Sequence, residues 1–178
     1  MPVKQSYTQS LLILISTVFF VFFSISAFSS VNYKFTDTDG KVYSPKDLKN
    51  KWVIVNYWAS WCDSCIDEIP ELNKFHSHNK DKNILILGVN YDHLPPPHLN
   101  NTINSLGIKF PVLQEDPGKY LRLGIVSVLP TTFVINPNGD IVKKVIGANT
   151  EQSLLKIVHN QMLAKKLQDS SYIKTEKV

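Results

Sequence analysis

Asn56-Tyr57-Trp58-Ala59-Ser60-Trp61-Cys62-Asp63-Ser64-Cys65-Ile66-Asp67-Glu68-Ile69-Pro70 holds both cysteines of this 178-residue chain, three positions apart. The run leading into it, Trp52 to Trp58, is apolar, aromatic and β-branched, the composition of a buried strand. The run leaving it, Ile66 to Leu72, sets apolar residues at helical spacing. The cysteines therefore fall where a strand turns into a helix. A thiol at a helix N-terminus meets unpaired backbone N–H groups and the positive end of the helix dipole, both of which favour thiolate. Thiolate is the reactive form of cysteine. A disulfide between residues three apart closes almost no loop, so as a staple it would stabilise little. The pair reads as a redox couple.

Outward from this centre, the chain punctuates itself clearly. Upstream, Tyr-Lys-Phe-Thr (33–36) and Lys-Val-Tyr (41–43) flank Asp37-Thr38-Asp39-Gly40, a hairpin signal. Ser44-Pro45 reads as an N-cap followed by proline at the first helical position. The helix that starts near Cys62 is expected to reach about His78, with a kink at Pro70. Downstream, 84–89 is a continuous apolar run of the kind found in parallel sheets. Pro95-Pro96-Pro97 is expected to hold off the next helix until about His98, and Gly107 to cap it. Residues 110–113 read as a short extended piece and 117–123 as a short helix. Thr131 to Ile135 and Ile141 to Val145 surround Asn136-Pro137-Asn138-Gly139, a second hairpin signal. Residues 151–166 form the last amphipathic helix, and 167–178 are expected to be a loose tail. The order predicts one mixed sheet with helices on both faces, and places the cysteines at the carboxyl end of a central strand.

Residues 11–28 carry no charge and are dense in Leu, Ile, Val and Phe, which reaches the lower limit for a membrane-spanning helix. Lys4 and the free amine make a weak positive flank before them. Two readings stand: an uncleaved anchor, or a signal peptide cut near Ala27-Phe28-Ser29. Both place the rest of the chain outside the cytoplasm, on the periplasmic side of a bacterial inner membrane or free in the periplasm. About 148 residues remain after residue 30, enough for one domain with a substantial core. The net charge of +4 comes from scattered lysines without aromatic interleaving, which argues against a nucleic-acid partner.

The segment from Asn56 to Pro70, together with Val128-Leu129-Pro130-Thr131-Thr132-Phe133-Val134-Ile135-Asn136-Pro137 downstream, resembles the thioredoxin-like fold. More narrowly it is similar to the membrane-anchored, periplasm-facing thiol-disulfide oxidoreductases of the TlpA, ResA and CcmG (DsbE) type, over about residues 33–162. The resemblance implies an α/β fold with a central mixed β-sheet flanked by helices, an N-terminal β-hairpin and a central insertion. Domain boundaries follow at 1–30 for the anchor or signal, 31–166 for the thioredoxin-like domain and 167–178 for the tail.

Cys62 is the expected nucleophile, attacking a substrate disulfide to form a mixed disulfide, and Cys65 the resolving thiol. Asp63 sets a negative charge beside the site, which raises a thiol pKa and tilts the couple towards donating electrons. Glu68, three residues after Cys65 on the same helical face, is the candidate proton carrier for the Cys65 sulfur, and the related reductases carry a glutamate there. Asn56 stands where ordinary thioredoxins hold a buried aspartate, which removes that proton relay. By resemblance, the Leu129–Pro130 bond is cis, its loop faces the cysteines, and the Leu129 backbone pairs with an extended substrate segment. Trp61 is the expected exposed substrate contact and Trp58 the packing residue.

His76 and His78 are two apart on a helix and miss a metal-ligand pattern with the cysteines, so no metal site is expected. No flavin or nicotinamide motif occurs and no cofactor is expected. An upstream membrane thiol-electron donor would then have to supply the electrons, and the partners would be extracytoplasmic proteins with disulfides, cytochrome c apoproteins among them. The rival readings are a dithiol oxidase or isomerase, a copper-binding assembly factor on the same fold, and a thiol peroxidase of the related redoxin group. The last places its reactive cysteine in a threonine-containing loop, unlike this chain.

Overall fold

The computed structural model describes residues 33–175, so the apolar segment 11–28 lies outside the described residues. In chain order the elements are β1 (Phe35–Thr36), β2 (Val42–Tyr43), α1 (Pro45–Leu48), β3 (Trp52–Trp58), α2 (Asp63–Asn79), β4 (Ile84–Asn90), α3 (Pro96–Leu106), β5 (Val112–Leu113), α4 (Gly118–Leu121), β6 (Thr131–Ile135), β7 (Ile141–Ile146) and α5 (Glu151–Thr175). Among the described residues, no helix is long and apolar enough to cross a membrane.

All seven residues of β3 are buried, which explains its unbroken apolar and aromatic sequence. It lies at the middle of a five-stranded sheet ordered β5-β4-β3-β6-β7. β3 runs parallel to β4 and antiparallel to β6, so the sheet is mixed. Alternate side chains of β3 enter two cores, as the two-residue period of a strand requires. Ile54 and Trp58 pack with Ile69, Leu72 and Phe75 of α2 and Leu154 and Val158 of α5. Val53, Val55 and Tyr57 pack on the other face with Phe35, Tyr43, Leu87, Val89 and Phe133. Each fully buried side chain of this size contributes about 1.5–3 kcal/mol, so both faces hold β3, and with it the cysteine loop, firmly.

The N-terminal hairpin has its own purpose. Thr38 N–H donates to the Val112 carbonyl at 2.9 Å and Gln114 N–H to the Thr36 carbonyl at 2.9 Å. These bonds cover the outer edge of β5, which would otherwise expose unpaired backbone. Asp37 organises the turn: its Oδ1 accepts from Asp39 N–H at 3.0 Å and Lys41 N–H at 2.8 Å, and its Oδ2 from the Tyr43 hydroxyl at 2.9 Å.

Three expectations from sequence need adjustment. Residues 112–113 are more than an extended piece, for they add a fifth strand parallel to β4. α3 begins at Pro96 and not near His98, with prolines in its first positions; the N–H groups lost there have no intrahelical partner in any case. α2 runs as one helix from Asp63 to Asn79 with Pro70 inside it. α5 continues to Thr175 past the expected end at Lys166, replacing most of the loose tail. No Gly or Pro follows Asn149, and Leu163-Ala164-Lys165-Lys166-Leu167 are strong helix formers.

Candidate active site

β3 ends at Trp58, and Ala59-Ser60-Trp61 carry the chain to Cys62, the residue capping the N-terminus of α2. Cys62 is extended (φ −96°, ψ 100°), and its sulfur accepts from the Cys65 N–H at 3.3 Å. The Ser64 hydroxyl lies 3.6 Å from the same sulfur. The N-terminal amide field of α2 is thus aimed at Cys62 Sγ, which favours its thiolate in the reduced protein. Cys62 and Cys65 are joined as a disulfide with their Cα atoms 5.2 Å apart. Cys62 is 7% exposed and Cys65 only 1%, so an incoming group reaches Cys62 first. Asp63 is exposed in the first turn of the helix.

The Leu129–Pro130 peptide bond is cis. Leu129 packs against the cluster that contains both cysteines. The Pro130 carbonyl accepts from Gly147 N–H at 2.9 Å, and the Val128 carbonyl from the Thr131 hydroxyl at 2.7 Å. Between them, the backbone N–H and C=O of Leu129 have no hydrogen-bond partner among the described residues. This leaves one free donor and one free acceptor on a residue packed against the cysteine-containing cluster, the requirement for pairing with an extended chain. Trp61 is 68% exposed next to Cys62, whereas Trp58 is 1% exposed within the core.

Glu68 is buried three residues after Cys65, on the face of α2 that meets the central strand. Its Oε1 accepts from Asn56 Nδ2 at 2.7 Å and its Oε2 from the Asn149 backbone N–H at 2.8 Å. Thr132 Oγ1 accepts from Asn56 Nδ2 at 3.1 Å and from Asn149 Nδ2 at 3.2 Å, closing a buried polar ring. Burial pushes the Glu68 carboxyl up to about 7 against the opposing pull of the Asn149 and Asn56 donors. A carboxyl poised there can both give and take a proton near neutral pH. Asn56 lies inside β3 and donates to this carboxyl from the central strand.

Thr132 and Asn149 escaped sequence reading because they reach Glu68 only through long-range packing. The one local hint was the cap before α5: Ser153 N–H donates to Thr150 Oγ1 at 3.1 Å, and Thr150 N–H to Ser153 Oγ at 3.0 Å. That cap fixes the turn that presents the Asn149 amide. The histidines take no part, and His78 Nδ1 pairs with Glu151 Oε1 at 2.8 Å. Among the described residues, no three metal-ligating side chains gather.

A mixed sheet with this helix-capping dithiol, and a buried carboxyl on the same helix, defines a thioredoxin-like thiol-disulfide oxidoreductase. Residues 28–144 match the family described as AhpC/TSA, and the chain belongs to that family. It is 37% identical over 131 residues to the thiol-disulfide oxidoreductase ResA of Bacillus subtilis (strain 168), a match that covers 74% of this chain and 70% of that protein. Among solved structures, it is similar to a thiol:disulfide interchange protein of the thioredoxin family from Chlorobium tepidum TLS, with a TM-score of 0.60 and 28% identity over 72% of this chain and 91% of that one. StoA from Bacillus subtilis shares the fold, with a TM-score of 0.61 and 22% identity over 72% of this chain and 96% of its own. These relatives agree with the TlpA, ResA and CcmG type of oxidoreductase that the motifs resemble.

Proposed function

We propose that this protein reduces disulfides in other proteins outside the cytoplasm, held at or released from the membrane by residues 11–28. In the reduced form, the Cys62 thiolate attacks one sulfur of a substrate disulfide. The S–S bond breaks, a mixed disulfide forms on Cys62, and the other substrate sulfur leaves as thiolate to take up a proton. Cys65 then loses its proton to Glu68 and attacks Cys62 Sγ. The second substrate thiol departs, and the Cys62–Cys65 disulfide is left. Two electrons have passed to the substrate.

The observation that carries this reading is the free backbone of Leu129, a residue packed against the cluster that contains the more exposed Cys62. Such a pair of groups suits an extended polypeptide better than a small oxidant. The reducing direction rests on Asp63, whose charge beside the site disfavours thiolate and so raises the couple's tendency to give electrons away. Re-reduction calls for a membrane thiol-electron donor, since the sequence has no motif for a nicotinamide or flavin. Apocytochromes c are the substrate class that the likeness to ResA suggests.

Trapping tests the proposal. In Cys65→Ser the resolving thiol is gone, and mixed disulfides on Cys62 are expected to accumulate with extracytoplasmic proteins, to be released by dithiothreitol and to be missing in Cys62→Ser. Absence of any trapped protein, with the variant expressed and folded, would contradict a polypeptide substrate.

A further inference from the structure

One short segment grips both sides of the site, and neither the cysteines nor the proline loop accounts for it. β4 ends at Asn90, and the next two side chains reach two different segments. Asp92 Oδ2 accepts from the Ser60 backbone N–H at 2.8 Å and from Asn90 Nδ2 at 3.1 Å. Ser60 immediately precedes Trp61, so this bond holds the turn that presents the exposed indole. On the other side, the Tyr91 hydroxyl donates to the Val126 carbonyl at 3.1 Å, three residues before Leu129. Tyr91 itself is tied to the strand by its N–H, which donates to the Trp58 carbonyl at 2.8 Å.

The chemistry of the two grips differs. Asp92 is half-buried, and desolvation alone would raise its carboxyl. The Ser60 and Asn90 donors outweigh that and hold it below the usual carboxylate range. Its bond to the cysteine loop is accordingly charge-assisted, the stronger kind. Tyr91 contributes one neutral bond to a stretch in which Val126 is buried but Ile125 and Val128 are exposed; among the described residues, the one other hold on its backbone carbonyls before Val128 is Lys144 Nζ donating to the Ile125 carbonyl at 2.9 Å.

We infer that Tyr91 and Asp92 are positioning residues that brace the substrate cleft, fixing the Ser60–Trp61 turn and the segment leading to Leu129 at one separation. The inference rests on the proposed polypeptide substrate. An extended chain must stack on Trp61 and pair with Leu129 at the same time, and a preset spacing spares the cost of ordering both on binding. A small disulfide touches only Cys62 and gains nothing from the brace.

The difference supplies the test. Reduced full-length protein, with detergent present, is reacted under single-turnover conditions with two oxidants: a twelve-residue peptide closed by one disulfide, and dithiobis(nitrobenzoate). Tyr91→Phe and Asp92→Ala are each expected to weaken half-saturation by the peptide by about tenfold. The limiting rate, the rate with dithiobis(nitrobenzoate) and the Cys62–Cys65 potential should stay at wild-type values in Tyr91→Phe, and in Asp92→Ala should match those of Asp92→Asn, which loses the same charge. Asp92→Asn, which keeps an acceptor oxygen, should recover most of the peptide affinity. Equal losses with both oxidants, or wild-type behaviour of both variants with the peptide, would overturn the brace. A wild-type protein that reacts with dithiobis(nitrobenzoate) but not with the peptide would overturn the polypeptide reading and the brace together.

Discussion

Asn56 Nδ2 donates to Glu68 Oε1 at 2.7 Å, across the interface between the central strand and the helix that carries both cysteines. The bond joins two buried residues, and it ties the protonation of a carboxyl to the position of the helix. Asn56→Ala removes the donor while Glu68 stays buried. Since that donor holds the carboxyl down, its titration should move further up from about 7. The buried oxygen left without a partner costs about 1–3 kcal/mol. Carboxyl carbon shifts in labelled protein would follow the titration, and urea unfolding the cost. An unmoved titration would remove Asn56 from the account.

Glu68 also makes stability depend on pH. In the folded oxidised protein its proton is held up to about 7, against an ordinary value of 4.5. Between these values the folded state binds more proton than the unfolded chain, so this group lowers stability as pH rises through that window. The loss is complete above it and is on the order of 3 kcal/mol. Glu68→Gln should lack this slope, match the wild type near pH 4 and exceed its stability at pH 8. Urea unfolding at pH 4, 6 and 8 measures both curves; parallel curves would contradict the assignment.

The two tryptophans on either side of Ala59 should separate stability from recognition. Trp58 is 1% exposed and Trp61 68%. Trp58→Ala opens a core cavity at a cost of about 3–5 kcal/mol. Trp61→Ala should change stability by no more than about 0.5 kcal/mol and yet slow reaction with a disulfide-closed peptide. Thermal unfolding and single-turnover kinetics on the same two variants check the contrast.

Alkylation of the reduced protein should distinguish the thiols. Cys62 caps the helix with the Cys65 N–H aimed at its sulfur, and Cys65 lies beneath it at 1% exposure. Iodoacetamide is expected to modify Cys62 at least about tenfold faster, following thiolate character and access. Peptide mapping after short exposure reads the ratio, and preferential labelling of Cys65 would reverse the assigned roles.

Much of this architecture was legible because its signals are local. Trp52 to Trp58 announced a buried strand, Asp39-Gly40 and Asn138-Gly139 their hairpins, and Ser44-Pro45 a helix start. Cys62, Cys65 and Glu68 share one helical stretch, so spacing alone brought them together. The rest of the site is held by residues far apart in the chain. Glu68 meets Asn149, 81 positions later, through a backbone amide that has no side-chain signature. Tyr91 and Asp92 follow a strand like any loop pair, and only the βαβ packing carries them to Ser60 and Val126. The longer α5 reflects the weak stop signals of a charged, helix-forming tail, and the earlier α3 the freedom of prolines at a helix start.

The central claim is that the Cys62–Cys65 couple serves as a reductant. Its midpoint potential against glutathione buffers tests this most directly. A value at or below that of thioredoxin, about −270 mV, is the predicted result, and one near that of the oxidant DsbA, about −120 mV, would contradict it.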